Sequence, residues 1–261
     1  MHVVICPDAP TLSRQAAVMV AGAILRHPEM VMGLAAGATP IGLYHELVRY
    51  HANGLDFSGL TVFGLDEYLG LDINHPTRFR NSVERHLLSG VNIQPSRVHW
   101  PDGHWDGDLA EYCAGYEQTI VEAGGIDLQI LGIGVNGHLG FNEPGCSLAG
   151  RTGVVRLSAT TLHANETNFA SRREMPEAAI TLGIGSILDA RAILLAATGE
   201  SKATAVAGAV EGPVTAMLPA SALQLHPNVT VFLDDAAASH LRCREAYDAD
   251  VEMLRRRGLF G

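Results

Sequence analysis

Four short segments of the chain carry residue types that could do chemistry. In Gly132–Pro144, a run rich in Gly and Asn, His138 stands five residues before Glu143 and close to Asn136. A neutral imidazole oriented by a carboxylate is a general acid–base unit near neutral pH. A lone loop histidine is usually structural; one flanked by glycine with a glutamate nearby is less so. Asp66-Glu67-Tyr68 offers paired carboxylates. Adjacent residues of an extended segment point opposite ways, so Asp66 and Glu67 cannot share one role. A carboxylate there suits proton abstraction next to a carbonyl, and a helix cap or surface pair is the other reading. Ala36-Gly37-Ala38-Thr39-Pro40 is a small-residue turn that lets backbone approach a ligand. Thr39 can cap the helix that follows, and a helix N-terminus presents free N–H groups to an anion. Such turns are common, so phosphate binding and a plain turn both stay open. In Thr198-Gly199-Glu200-Ser201-Lys202, Lys202 near a helix start would hold a phosphate as a point charge, unless it is simply a solvated lysine.

These segments need a scaffold that brings them together. Short apolar runs read as strands at His2–Cys6, Met30–Ala35, Leu60–Leu65, Asp127–Gly132, Ala192–Ala197 and Val229–Leu233. Amphipathic stretches between them read as helices at Thr11–His27, Thr39–Asn53, Asn81–Leu88 and Asp108–Ala123. Strand–helix–strand repetition predicts an α/β, Rossmann-like, mostly parallel sheet with helices on both faces. No linker, repeat or low-complexity segment divides it, so one domain over residues 1–261 is expected. In open α/β sheets ligands sit at the carboxyl ends of the strands, which is where all four segments fall. The polar stretch Ser158–Glu177 reads as a flap or a surface helix.

Composition removes several classes. With 18 Lys and Arg against 28 Asp and Glu the formal charge is −10. That argues against a nucleic-acid partner, which needs clustered basic residues, but not against a local pocket for one small anion. No membrane segment is read, because the longest plain apolar run, Ala16–Leu25, falls short of the roughly 20 residues of a span. The start of the chain lacks a signal-peptide pattern. Cys6, Cys113, Cys146 and Cys243 show no CxxC, which suits scattered reduced thiols and a cytoplasmic protein. His99 and His104 have no third ligand nearby and read as a surface loop, so no metal is expected. His226 is expected to pack at the end of a helix. Gly132, Gly134 and Gly137 spell GxGxxG, but the motif lies mid-chain, Pro144 interrupts any long helix, and no ribose-binding acid follows about 20 residues on.

Six segments together resemble the glucosamine-6-phosphate deaminases, within the glucosamine/galactosamine-6-phosphate isomerase family. They are Gly33–Pro40, Leu65–Leu71, Gly134–Pro144, Ala178–Leu188, Gly199–Lys202 and Pro219–His226, in family order and spanning nearly the whole chain. The stretch Asn136-Gly137-His138-Leu139-Gly140-Phe141-Asn142-Glu143-Pro144 is the most specific. The 6-phosphogluconolactonases share the architecture, but their glycine–histidine turn is not followed by Phe-Asn-Glu-Pro. The resemblance implies an enzyme of amino-sugar catabolism, acting on a cyclic 2-amino-2-deoxyhexose 6-phosphate without metal or organic cofactor. It implies that His138 opens the sugar ring, that Glu143 orients and tunes His138 with Asn136 nearby, and that Asp66 moves a proton from C2 to C1. It places the phosphate on Ala36, Gly37, Ala38, Thr39 and Lys202, with Gly137 also against the substrate. Glu67 and Tyr68 are expected to support the loop.

The chain departs from the family pattern at three places. Asn136 stands where some members have Asp, which implies less carboxylate support for His138 and a lower imidazolium pKa. Thr167 stands where members usually carry an Arg that reaches the phosphate. Either Arg172 or Arg173 substitutes, or the substrate differs in its phosphate or sugar. After Arg151-Thr152 come Gly153, Val154 and Val155, where members activated by N-acetylglucosamine 6-phosphate carry basic residues; that allosteric site is expected to be absent. Members range from monomer to hexamer, so a homo-oligomer is one outcome. A phosphorylated-sugar lactonase and a non-catalytic sugar-phosphate sensor are the competing readings. The joint presence of Asp66, His138 and Glu143 speaks against a pure sensor.

Overall fold

The computed structural model describes residues 1–158, 161, 162, 169 and 171–256, without the side chains of Arg173 and Arg255. The strands are β1 (His2–Cys6), β2 (Val31–Leu34), β3 (Thr61–Gly64), β4 (Asp66–Tyr68), β5 (Val98–His99), β6 (Leu128–Leu131), β7 (Gly153–Arg156), β8 (Ala178–Thr181), β9 (Ala192–Ala197) and β10 (Val229–Asp234). The helices are α1 (Ala9–Arg26), α2 (Ala38–Ala52), α3 (Phe79–His86), α4 (Leu109–Glu122), α5 (Ile184–Leu188), α6 (Ala203–Glu211) and α7 (Arg244–Arg256).

A seven-stranded sheet in the order β1-β10-β9-β6-β2-β3-β5 forms the centre, and every neighbouring pair in it is parallel. Successive residues of its strands feed opposite cores. Val3, Val31 and Leu195 pack with α4, α5 and α6 on one face. Val4, Met32 and Leu194 pack with α1, α2 and α3 on the other. Strands β6 and β10 are buried at every residue, which is why they read as nearly continuous apolar runs, interrupted only by Gln129 in β6 and by Thr230 and Asp234 in β10. This is the mostly parallel sheet, covered on both faces, that the repetition predicts. From β2 the sheet grows through β3 to β5, and from β6 it grows the other way through β9 and β10. The crevice between the ends of β2 and β6 is therefore the topological switch point.

A second sheet, β4-β8-β7, is small and antiparallel and was not expected. The chain leaves the central sheet after β3 and enters β4 at once, so Asp66, Glu67 and Tyr68 form a strand rather than the loop after one. A three-residue strand offers no window in which alternation can be counted. Helix α3 also begins two residues earlier than its predicted start at Asn81. Its start signal is not local: Glu67 reaches across from β4 to accept the N–H groups of Phe79 at 3.1 Å and Arg80 at 3.0 Å. Much of the expected flap lies outside the described residues, Thr167 with it; within it, Arg172–Glu174 form a short 3-10 turn. Among the described residues no helix is long and apolar enough to cross a membrane.

Candidate active site

A cleft of about 650 Å³ lies at the switch point, walled by the segments that follow β2, β3, β6 and β9. Asp66, His138, Ala36, Gly37, Ala38, Thr39 and Lys202 all line it; Asn136, Gly137 and Glu143 stand behind.

Asp66 opens β4 opposite Thr181 of β8. Trp100 holds its backbone by donating its indole N–H to the Asp66 carbonyl at 3.1 Å. The residue is 5% exposed, and its carboxylate takes no hydrogen bond from any described residue. Burial, and then the neighbouring Glu67 carboxylate, push its pKa well above the ordinary carboxylate value. A carboxylate short of solvent and of partners binds a proton more strongly, which suits a base. Glu67 faces the other way and is fully buried. Besides capping α3 it accepts the N–H of Tyr68 at 3.0 Å, and Arg78 Nε stands 3.6 Å off. It thereby fixes Phe79 and Ser82 of α3 as one wall of the cleft.

His138 closes a tight turn in which the Gly134 N–H donates to the His138 carbonyl at 2.9 Å. A Cβ on Gly134 would fall 2.2 Å from the imidazole, so only glycine lets the ring lie against the turn. His138 Nδ1 is 3.7 Å from Glu143 Oε2, an ion-pair separation too long for a hydrogen bond, and no described residue bonds it. Glu143 itself is well held. Asn136 Nδ2 donates to Oε2 at 2.7 Å, Ser158 Oγ donates to Oε1 at 3.0 Å, and the Thr161 hydroxyl donates to Oε1 as well. Burial pushes the Glu143 pKa up, but His138, Thr161 and Asn136 outweigh it and hold it at about 2. An ionised carboxylate on the Nδ1 side favours the tautomer with its proton there, leaving Nε2 able to take one.

Asn136 does not face the imidazole. Its carbonyl accepts the backbone N–H of His138 at 3.2 Å while its amide holds Glu143, so it braces the turn and the carboxylate together. Gly137 lies outside the cleft. Its N–H donates to Gly134 at 3.0 Å and its carbonyl accepts from Ala220 at 2.9 Å.

At the other end, Gly37 occupies the N-cap of α2 with φ 134°, a conformation that favours glycine, and no side chain caps the helix. Helices α1 and α4, by contrast, are capped by Asp8 and Asp108. The first-turn N–H groups of α2 thus meet the cleft without a side-chain acceptor. The expectation that Thr39 caps this helix is corrected: it lies inside α2, and its hydroxyl shares a hydrogen bond with Thr198 Oγ1 at 3.1 Å, tying the β2 and β9 loops. Lys202 sits at the N-cap of α6, half-buried, and its ammonium has no ion pair or hydrogen bond among the described residues. Burial pushes its pKa down. Arg172 is exposed and does not line the cleft, and the Arg173 side chain is not among those described.

Sequence reasoning missed Thr198, Ser158 and Thr161, because hydroxyls in polar stretches carry no signal of their own. It also missed an aromatic wall in which Tyr68 packs against Phe79, Phe141 and Phe169. Of the other histidines, His99 stacks on Phe63 at 4.6 Å between ring centroids. His226 is buried after the 3-10 helix Pro219–Leu225, with Nε2 2.7 Å from the Ala190 carbonyl. Among the described residues no three His, Cys, Asp or Glu side chains gather as a metal site needs.

The model of the family glucosamine-6-phosphate isomerases/6-phosphogluconolactonase matches residues 9–232. A glucosamine-6-phosphate deaminase of Pseudarthrobacter chlorophenolicus is 46% identical over 247 residues, covering 95% of each chain. One of Clostridioides difficile is 45% identical, covering 94% of this chain and 98% of its own. The solved structure of a monomeric glucosamine-6-phosphate deaminase is 43% identical and superposes with a TM-score of 0.89, over 92% of this chain and 100% of its own. The 6-phosphogluconolactonase of Trypanosoma brucei, 20% identical with a TM-score of 0.76, covers 92% of this chain and 98% of its own and shares the fold alone. The chain belongs to the family of glucosamine-6-phosphate isomerases and 6-phosphogluconolactonases.

Proposed function

We propose that this chain converts glucosamine 6-phosphate and water to fructose 6-phosphate and ammonia. The observation that carries the reading is one cleft with two unlike ends: an unpaired buried carboxylate and a carboxylate-backed imidazole at one, an uncapped helix N-terminus beside a lysine at the other. The second end suits a phosphate, held by the first-turn N–H groups of α2 and by Lys202. His138 takes the proton of the anomeric hydroxyl and returns one to the ring oxygen, opening the pyranose to the aldehyde. Asp66 then removes the proton on C2, and the electron pair moves through C1–C2 onto the carbonyl oxygen, which takes up a proton to give the enol. Reprotonation of C1 leaves an iminium at C2; water adds there and ammonia departs. The substrate's own carbonyl is the electron sink. Asn136 and Glu143 hold His138 in orientation from behind.

The same reading places the enzyme in the cytoplasm, in amino-sugar catabolism that includes use of N-acetylglucosamine, and takes the whole chain as one domain. Gly153–Arg156 form β7, and the three residues after Thr152 bring no basic side chain, so N-acetylglucosamine 6-phosphate is not expected to activate it. The test is a coupled ammonia assay across phosphorylated and unphosphorylated amino sugars. Ammonia from glucosamine 6-phosphate, with far less from glucosamine, is the expected result. Hydrolysis of 6-phosphogluconolactone with no ammonia from any amino sugar overturns it in favour of a lactonase. Tight sugar-phosphate binding without turnover overturns it in favour of a sensor.

A further inference from the structure

Lys202 is the only lysine in the chain. The other 17 of the 18 Lys and Arg side chains are arginines, which do not deprotonate, so beside its N-terminal amine and its cysteine thiols the chain offers an electrophile a single ε-amine. That amine is not on the open surface. It is half-buried, lines the cleft, and has neither an ion pair nor a hydrogen bond among the described residues. No other described lysine or arginine lines the cleft.

We propose that Lys202 is a modification site for small acyl phosphates, guided to it by their phosphoryl group, and that acylation there weakens the cleft's hold on phosphate. The inference rests on the reading of this end of the cleft as a phosphate site. An acyl phosphate presents the same kind of anion as a sugar phosphate, so the α2 N-terminus and Lys202 receive it in the same way. Its carbonyl carbon is separated from phosphorus by a single bridging oxygen, so an amine that touches the phosphoryl group is already beside the electrophile. The neutral amine attacks that carbon, the bond from carbon to the bridging oxygen breaks, and inorganic phosphate leaves with the electron pair. The nitrogen gives its extra proton to the departing phosphate or to water. Burial lowers the Lys202 pKa and so raises the share of neutral amine near neutral pH, which helps the attack. The product amide carries no charge. It removes the one lysine or arginine charge that the described residues bring to the cleft, in a protein of formal charge −10.

The experiment exposes the full chain to acetyl phosphate and follows it by intact mass and peptide mapping. Lys202 is expected to be acetylated faster than the N-terminal amine, and inorganic phosphate is expected to protect it. A phosphate-free acetylating ester is expected to lose that preference. Activity is expected to fall in step through a KM for sugar phosphate that rises about 10-fold or more, with kcat less affected. Whatever activity Lys202→Arg retains is expected to resist acetyl phosphate. Equal or faster labelling of the N-terminal amine by acetyl phosphate, or labelling of Lys202 that phosphate does not slow, overturns the proposal. Labelling needs no turnover, so the two readings fail separately. Ammonia release without directed labelling defeats this proposal alone, and directed labelling without ammonia release defeats the deaminase reading alone.

Discussion

At one end of the cleft Glu143 collects donors from Asn136, Ser158 and Thr161 and stands 3.7 Å from His138. At the other, Lys202 has no partner among the described residues and α2 begins without a side-chain cap. Moving protons requires groups fixed relative to particular atoms of the substrate, and the dense network supplies that. Holding an anion requires donors left for the ligand to complete, and the sparse end supplies those. The two ends should therefore fail differently. Damage to the first lowers kcat, and damage to the second raises KM for phosphorylated substrates.

Asp66→Asn tests the first half most severely. It should lower kcat by about 10²–10⁴-fold, the usual worth of general acid–base catalysis, with KM little changed. It should also stabilise the protein at neutral pH. The folded-state pKa of Asp66 is raised above 3.8, so its protonated form contributes stability that is fully present below about pH 3.8 and lost as pH rises through the raised value. Asparagine is neutral throughout. The variant should melt above the parent at neutral pH and the gap should close on acidification, as read by calorimetry across pH. Equal melting at neutral pH would mean that the buried charge costs nothing, and full turnover would remove Asp66 as the base.

Lys202→Ala tests the second half. Loss of one charge-assisted contact costs roughly 1.5–3 kcal/mol, which predicts a KM for glucosamine 6-phosphate higher by about 10- to 100-fold. Reaction with unphosphorylated glucosamine, however slow, should be unaffected. A fall in kcat at constant KM would break the contrast between the two ends.

The same contrast governs what could be read from the residues alone. The parallel sheet was legible because β6, β9 and β10 are nearly continuous apolar runs, and fully buried strands leave that trace. Asp66, His138 and Lys202 were legible because each follows a strand that ends at the cleft. The sheet β4-β8-β7 was not, since strands of three or four residues carry too few positions to show a period. The capping of α3 by Glu67 was equally hidden, because cap and helix lie 12 residues apart in the chain. Thr39 shows the opposite: a good capping residue just before an apolar helix reads as a possible cap, whereas Gly37 takes that position and frees the threonine for Thr198.

Asn136→Asp should have an intermediate effect, visible mainly in pH dependence. It replaces a donor 2.7 Å from Glu143 Oε2 with a second carboxylate. Like charges raise each other's pKa and favour a protonated imidazole beside them. The acid limb of kcat/KM should move to higher pH by about one unit, worth about 1.4 kcal/mol. Stability should respond too. Glu143, at about 2 in the folded protein against an ordinary 4.5, contributes stability that is present above about pH 4.5 and lost as pH falls toward 2. In the variant that contribution should be smaller and its loss complete at a higher pH, as followed by acid titration of the fold. An unmoved acid limb would mean that Asn136 braces the turn without tuning the pair.

Ser158→Ala should have the smallest effect and is the most discriminating, because Ser158 reaches the reacting end only through other side chains, Glu143 and Thr161, whose N–H it accepts at 3.1 Å. Removing its 3.0 Å hydrogen bond to Oε1 leaves the Thr161 hydroxyl on the same oxygen. One such bond contributes about 0.5–1.5 kcal/mol, so kcat should fall no more than about 10-fold. A purely structural serine would lower the melting temperature and leave the pH profile alone. A serine that helps to hold Glu143 ionised should shift the acid limb of the rate profile as well. Thr161→Val, alone and combined with Ser158→Ala, separates these cases. Two donors to one oxygen are not independent, so the double variant should lose more than the sum of the single losses. Additive losses in KM rather than kcat would assign both hydroxyls to the substrate, and the division of the cleft into a fixed end and an open end would not stand.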